Sequence, residues 1–153
     1  MKKMITRAMM LVATATMLLS FTANFGGEGF EILLNGKPLL QQFGKDMNSV
    51  KNLQLSQVSV SDKLTIRYYH CGRVGKNRVV TVKDGNGNVL KQWRYNDSQS
   101  AAGEMLCSAQ DIITLKKGGT SVFKIYYSSS ELPAGRMLAS VMIGEGEATA
   151  ARK

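Results

Sequence analysis

The sequence predicts an all-β protein, an antiparallel β-sandwich of about eight strands. Three observations predict this fold. Short apolar runs alternate with polar residues, turn residues such as Asn-Gly and Asp-Gly separate the runs, and no long stretch has the periodicity of an amphipathic helix. Short strands at regular spacing, with no helices between them, are typical of two packed antiparallel sheets.

The N-terminus has the layout of a secretory signal peptide. Basic residues at positions 2, 3 and 7 precede an apolar run over residues 8–23. Threonines interrupt this run, and a helix that spans a bilayer needs about 20 apolar residues, so a transmembrane anchor is the weaker alternative. We therefore assign residues 1–23 to a signal peptide that is cleaved between residues 22 and 27. We expect an exported protein, periplasmic or extracellular, with no stable membrane span after processing.

The rest of the chain predicts one domain. About 130 residues follow the signal, which suits a single hydrophobic core. We expect the β-sandwich over residues 28–144. The segment 145–153 has no large apolar residue and is predicted to be a disordered tail.

The charge is moderately basic. The chain has 20 Lys and Arg against 11 Asp and Glu. Three of the basic residues belong to the signal, so the mature chain has 17 basic and 11 acidic residues, a net charge of +6. Such a charge attracts anionic polymers and membrane surfaces over long range. The basic residues are scattered along the sequence, however, so we predict a solvated cationic surface and no nucleic-acid partner.

The first strands follow from turn signals and alternation. The runs FEILL and PLLQQF flank Asn35-Gly36, a strong hairpin signal because both central positions accept positive φ. The run LQLSQVSV alternates, with a break at Ser56-Gln57 that a β-bulge explains. The run KLTIRYYHC places one side-chain set toward the core: Leu64, Ile66, Tyr68 and His70.

The later strands follow the same logic. RVVTVK, the turn DGNGN and VLKQWRY form the clearest predicted hairpin, TSVFKIYYSS directs Phe123, Ile125 and Tyr127 to one side, and RMLASVMI adds a last strand. Residues 98–117 lack clear alternation, so we predict a loop there with one helical turn around residues 109–112. The predicted strands together suit an immunoglobulin-like or a jelly-roll-like topology.

The two cysteines, Cys71 and Cys107, are predicted to form a disulfide. An even number of cysteines in an exported chain favours a bridge. It would tie the irregular segment to the end of a strand and stabilise the fold by roughly 3 to 4 kcal/mol. The spacing excludes a Cys-x-x-Cys redox pair, and it is too short for the inter-sheet bridge of an immunoglobulin domain.

Catalytic and metal sites have little support. His70 is the only histidine, and no Gly-x-Ser-x-Gly motif accompanies it, so we expect a structural histidine at a strand end. The segment from Asp84 begins like a calcium loop, but Val89 and Tyr95 stand where that loop needs a glycine and a bidentate carboxylate. We predict no metal, no cofactor and no enzymatic activity.

One surface has a pattern that suggests binding. Alternation turns Tyr69 and Tyr126 away from the core, beside Arg67 and Lys124, so neighbouring strands would unite them in one exposed aromatic and basic patch. The turn after His70 adds three basic candidates: Arg73, Lys76 and Arg78. Alternatively, the tyrosines are cross-strand pairs that only stabilise the sheet.

The sequence therefore favours a non-catalytic exported module that binds a protein or a cell-envelope component. The first alternative is a carbohydrate-binding module, which requires Trp93 and Tyr69 to be coplanar on one exposed face. Alternation leaves the direction of Trp93 and Tyr95 open. The second alternative is a small hydrolase, which requires an acid and a nucleophile beside His70 in a cleft.

Overall fold

The computed structural model describes residues 27–55, 58–115 and 121–144. The predicted signal peptide and the predicted tail lie outside these residues, as does the predicted bulge at Ser56-Gln57. Within the described part of the chain, no helix is long and apolar enough to cross a membrane.

The described chain is mostly β-structure, which confirms the all-β prediction. It has nine strands, one more than the estimate from sequence. They are β1 (Glu28–Leu34), β2 (Lys37–Phe43), β3 (Lys51–Gln54), β4 (Lys63–His70), β5 (Arg78–Lys83), β6 (Val89–Tyr95), β7 (Glu104–Ser108), β8 (Ser121–Ser129) and β9 (Leu132–Ile143). A 3-10 helix covers Gly44–Asn48, and a short helix, α1, covers Ala109–Ile113, where one helical turn was predicted.

The strands form two sheets. Sheet A has the order β2-β1-β4-β7, and sheet B has the order β3-β9-β8-β5-β6. The pairings are antiparallel except for β3 and β9, which are parallel. The order separates β4 and β8, the two strands that end in Tyr-Tyr, into different sheets.

Turn chemistry produces the two predicted hairpins. Asn35 and Gly36 join β1 to β2 with φ values of 51° and 79°, the left-handed conformations that a two-residue turn requires. Between β5 and β6, the Asp84 carboxylate accepts hydrogen bonds from the backbone N–H groups of Asn86 and Asn88. Asp84 therefore acts as a turn cap, as the failed calcium pattern suggested.

The core contains the residues that alternation assigned to it. On β4 the side chains at positions 64, 66, 68 and 70 are buried, and those at 65, 67 and 69 are half-buried on the outer face. Side chains from both sheets form one hydrophobic cluster. At one end of it, Tyr68 of sheet A stacks on Tyr127 of sheet B with ring centroids 4.3 Å apart.

One strand was missed. β7 lies in the segment that was predicted to be a loop, and its five residues direct Met105 and Cys107 into the core. Two inward positions are too few for alternation to stand out within a segment of 20 residues. Ser108 then ends the strand and caps α1, because its side chain accepts from the backbone N–H of Asp111.

The predicted disulfide is wrong, because both cysteines are free. Cys107 on β7 pairs with Leu64 near the start of β4, whereas Cys71 follows the last residue of that strand. Seven residues of extended chain separate Leu64, the partner of Cys107, from Cys71, a distance of roughly 20 Å. Bridged cysteines have Cα atoms only about 6 Å apart. Cys71 is exposed in a turn and Cys107 is buried, so no local movement joins them.

Candidate functional site

The predicted aromatic and basic patch does not exist as one surface. Tyr69 and Arg67 lie on the outer face of sheet A, whereas Tyr126 and Lys124 lie on the outer face of sheet B. Each pair points outward as alternation predicted, but the condition that their strands are neighbours fails. The two halves of the patch must therefore be considered separately.

The half on sheet A is neutralised by carboxylates. Arg67 bonds Glu31 at 3.3 Å and also pairs with Glu104, and the Tyr69 hydroxyl donates to Glu31 Oε2 at 3.0 Å. The Tyr69 ring also packs against Phe43, with ring centroids 5.4 Å apart. Burial, and then the contact with Glu31, raise the pKa of Tyr69. Both residues are engaged within the sheet, as the cross-strand alternative proposed.

Within the described residues, no carboxylate forms an ion pair with the half on sheet B. Lys83 on β5 lies directly opposite Lys124 on β8, so two like charges face each other across neighbouring strands. Such a pair is destabilising. Lys83 lies over the Tyr126 ring, 4.5 Å from its centroid, and Lys124 reaches only the carbonyl oxygen of Gly85 at 3.5 Å.

We call the outward-facing residues of sheet B the basic face. Arg94 on β6 adds a third cation, and none of the described outward strand residues of this sheet is acidic. Exposed apolar side chains lie on the same face: Val89, Val122 and Met142 are 58%, 45% and 38% exposed. Sequence reasoning missed Lys83, Arg94, Val122 and Met142, because only the strand order unites them.

The basic turn divides into two parts. Arg73 and Lys76 are exposed. The backbone of this turn is held to the β8–β9 turn, because the N–H of Lys76 donates to Glu131 Oε2 and the N–H of Ser130 donates to the carbonyl of Lys76, both at 2.9 Å. These two side chains are therefore displayed by an anchored loop.

Arg78 does not belong to that surface. It is 8% exposed and lies at the start of β5 with the same parity as the core residue Val80. Its guanidinium donates to the carbonyl oxygens of Asn96 and Gly103 at 2.9 to 3.0 Å. The structure therefore places Arg78 inside the fold and not on the exposed turn, and its hydrogen bonds anchor the segment between β6 and β7.

Trp93 and Tyr95 point toward the core, which settles their direction. Both pack against the hydrophobic cluster. The Trp93 Nε1–H donates to Asp111 at 3.3 Å, and the Tyr95 hydroxyl donates to the carbonyl of Leu106 at 2.7 Å. They close the edge between β6 and β7. Trp93 and Tyr69 are thus on different sheets, and the coplanar pair that a carbohydrate-binding surface was predicted to need is not formed.

A groove lies beside Trp93. It has a volume of about 370 Å³ and is bordered by Leu106, Val60, Asp62 and Ser108. Cys107 contributes to its wall, and burial raises the pKa of that thiol to about 11. A thiol with such a pKa is protonated near neutral pH and is a poor nucleophile.

His70 belongs to a buried polar cluster. Its Nε2 lies 2.9 Å from the Tyr127 hydroxyl and 3.3 Å from the Ser129 hydroxyl. His70 and Ser129 are 5% and 6% exposed, so this pair of base and hydroxyl is enclosed by the two sheets. A hydrolase would need them in an open cleft. Among the described residues, no group of three His, Cys, Asp or Glu side chains could hold a metal ion.

The burial of His70 predicts a pH dependence of stability. Burial lowers the pKa of His70 below its ordinary value of 6.5, and this effect outweighs the opposite influence of Glu131 and Glu28. The unfolded chain therefore takes up the proton first as the pH falls. We expect the free energy of unfolding to decrease as the pH drops below about 6.5, down to the folded-state pKa.

This prediction can be checked by urea unfolding across about pH 5 to 7, a range above the ordinary pKa values of carboxylates. The variant His70→Gln keeps a polar group beside Tyr127 but cannot titrate. Its stability should be flat across this range. A slope in the variant equal to that of the natural sequence would show that another group causes the dependence.

Comparison with protein-family models finds no match, and comparison with curated proteins finds no significant similarity.

Proposed function

We propose that the protein is a non-catalytic, exported β-sandwich module that binds a protein or a cell-envelope component through the basic face. One observation carries this proposal: Lys83 and Lys124 oppose each other on a sheet surface that has no carboxylate among its described outward residues. A protein under selection for stability alone would gain from replacing one of these lysines. Like charges on a face without carboxylates attract an anionic partner over long range.

Two further observations support the sandwich architecture and the export of the protein. The stack of Tyr68 on Tyr127 and the shared hydrophobic cluster support the packing of sheet A on sheet B as a sandwich. The finer topology, immunoglobulin-like or jelly-roll-like, is part of this proposal. Export is supported by the charged and apolar layout of residues 1–23.

Tyr126 completes the proposed contact. A tyrosine offers a large rigid surface with one polar atom, and such residues anchor many interfaces. Here the ring is half-buried between its neighbours, with Lys83 above it. Tyr69 is not part of the proposed surface, because Glu31 and Phe43 already engage it.

The experiment compares two charge-reversed variants of the mature protein in capture from an envelope extract. The first is Lys83→Glu with Lys124→Glu on the basic face. The matched control is Lys37→Glu with Lys45→Glu, two exposed lysines on β2 and in the 3-10 helix. We expect the first variant to lose the captured component and the control to retain it. The melting temperatures of both variants should stay close to that of the natural sequence.

Equal capture by both variants would contradict the proposal. Loss of capture together with a much lower melting temperature in the first variant would also contradict it, because the lysines would then act on the fold.

A carbohydrate partner is the second candidate, and the groove beside Trp93 supports it. Sugar sites combine an aromatic ring with carboxylate and hydroxyl groups, and this groove offers Trp93, Asp62 and Ser108. A glycan array, run beside the capture experiment, tests this candidate directly.

A further inference from the structure

We infer that the partner of the basic face is the surface of an anionic lipid bilayer. This inference rests on the proposed function, since it names the chemistry of the partner at the same surface. It depends on how cations and exposed apolar side chains are arranged in rows across sheet B.

The cations lie beside the exposed apolar side chains, in the same row or the next one. Lys83 and Lys124 occupy one row, which continues into Val89 because Val89 pairs with Lys83. The adjacent row, two residues along β8, contains the pair Val122 and Met142. Side chains in adjacent rows of one sheet face are within about 7 Å of each other. Three exposed apolar side chains therefore border two cations at one end of the face.

A bilayer interface accepts both kinds of side chain at once. Lysines extend their ammonium groups to anionic headgroups while their methylene stems stay near the apolar boundary. Valine and methionine side chains transfer from water to the acyl boundary. In the described structure these apolar side chains are 38% to 58% exposed to water. Insertion into the bilayer would remove the unfavourable free energy of this exposure.

An acidic protein is the less favoured partner. Protein interfaces concentrate their binding energy on side chains that enter well-packed pockets. The groove beside Trp93 and the small cavity between Leu34 and Ile143 both lie away from the basic face. A lipid surface requires no such pocket, because it adapts to the side chains that meet it.

The experiment measures cosedimentation of the mature protein with lipid vesicles. Vesicles of phosphatidylcholine alone are compared with vesicles that also contain phosphatidylglycerol. We expect much stronger binding to the second kind, because the apolar contact alone gives only weak binding to the first. Each cation near an anionic surface increases partitioning roughly fivefold, so Lys83→Gln with Lys124→Gln should weaken binding by about 25-fold. The matched control, Lys37→Gln with Lys45→Gln, removes the same net charge from other surfaces and should have a much smaller effect.

A second variant separates insertion from charge. Val122→Ser with Met142→Ser leaves the cations in place but removes the apolar contact. We expect weaker binding that added salt abolishes, whereas part of the binding of the natural sequence should resist salt. Melting temperatures of all variants verify that the fold is intact.

The outcomes distinguish this inference from the proposed function. Absence of binding to either kind of vesicle, or an equal loss in the lysine variant and its control, overturns the lipid inference. If the protein does not bind vesicles but charge reversal still abolishes capture from an extract, the proposed function stands with an acidic protein as partner. If neither experiment depends on Lys83 and Lys124, both are overturned.

Discussion

Replacing Arg78 with glutamine is expected to lower the free energy of unfolding by about 3 kcal/mol. The guanidinium is buried and donates hydrogen bonds to the carbonyls of Asn96 and Gly103. Glutamine is too short to reach both, so at least one buried carbonyl would lose its partner. The segment between β6 and β7 would also lose its attachment to β5. Urea unfolding measures the change, and hydrogen exchange at residues 96–103 shows where it acts.

The matched control is Arg73→Gln, which removes the same charge from an exposed position in the neighbouring turn. Its effect should stay within about 0.5 kcal/mol. If Arg78→Gln were as mild as this control, Arg78 would not hold the segment. If Arg78→Gln kept full stability but lost partner capture, the original assignment of Arg78 to the binding surface would be restored.

Replacing Gly29 with alanine is expected to lower the free energy of unfolding by about 2 kcal/mol. A Cβ atom at Gly29 would overlap with Phe43 Cδ1 and would lie 2.8 Å from the carbonyl oxygen of Gln42. The Phe43 ring covers this glycine from β2, while Tyr69 pairs with it from β4. An added methyl group would displace the ring from its packing against Tyr69.

Thermal unfolding of four variants checks this expectation, with Phe43→Ala alone as the reference for the double variant. Gly27→Ala is the matched control, since a Cβ there has open space around it. In a Phe43→Ala background, Gly29→Ala should cost less, because the ring that it meets is gone and the effects are not additive. Equal costs in both backgrounds would show that Phe43 does not restrict Gly29, and would weaken the structural role of Tyr69.

Sequence patterns within a few neighbouring residues determined many of the strands and turns of this protein. Alternation identified the inward side chains of β4 and β8, and Asn35-Gly36 identified the first hairpin. These features depend on residues one to four positions apart, so a short stretch of sequence contains the whole cause. The short helix α1 was recognised for the same reason.

Local rules failed where a strand was short or its start was ambiguous. β7 has only two inward residues, so its alternation was lost in the surrounding segment. Arg78 was assigned to the basic turn, although it shares its parity with Val80 and Val82 on β5. The predicted strand RVVTVK already begins at Arg78, and its alternation directs this residue inward. A buried arginine is rare, however, unless carbonyls or carboxylates are available to it, and these come from a distant segment.

The order of the strands was decided by the tertiary structure alone. β4 and β8 have the same Tyr-Tyr pattern, yet they lie in different sheets, and this separates Tyr69 from Tyr126. The same order brings Lys83 opposite Lys124, and it sets Cys107 at the start of β4, far from Cys71. Pairing between distant strands depends on which arrangement buries the apolar faces of all nine at once. That total is a property of the whole chain, so no single strand contains the information.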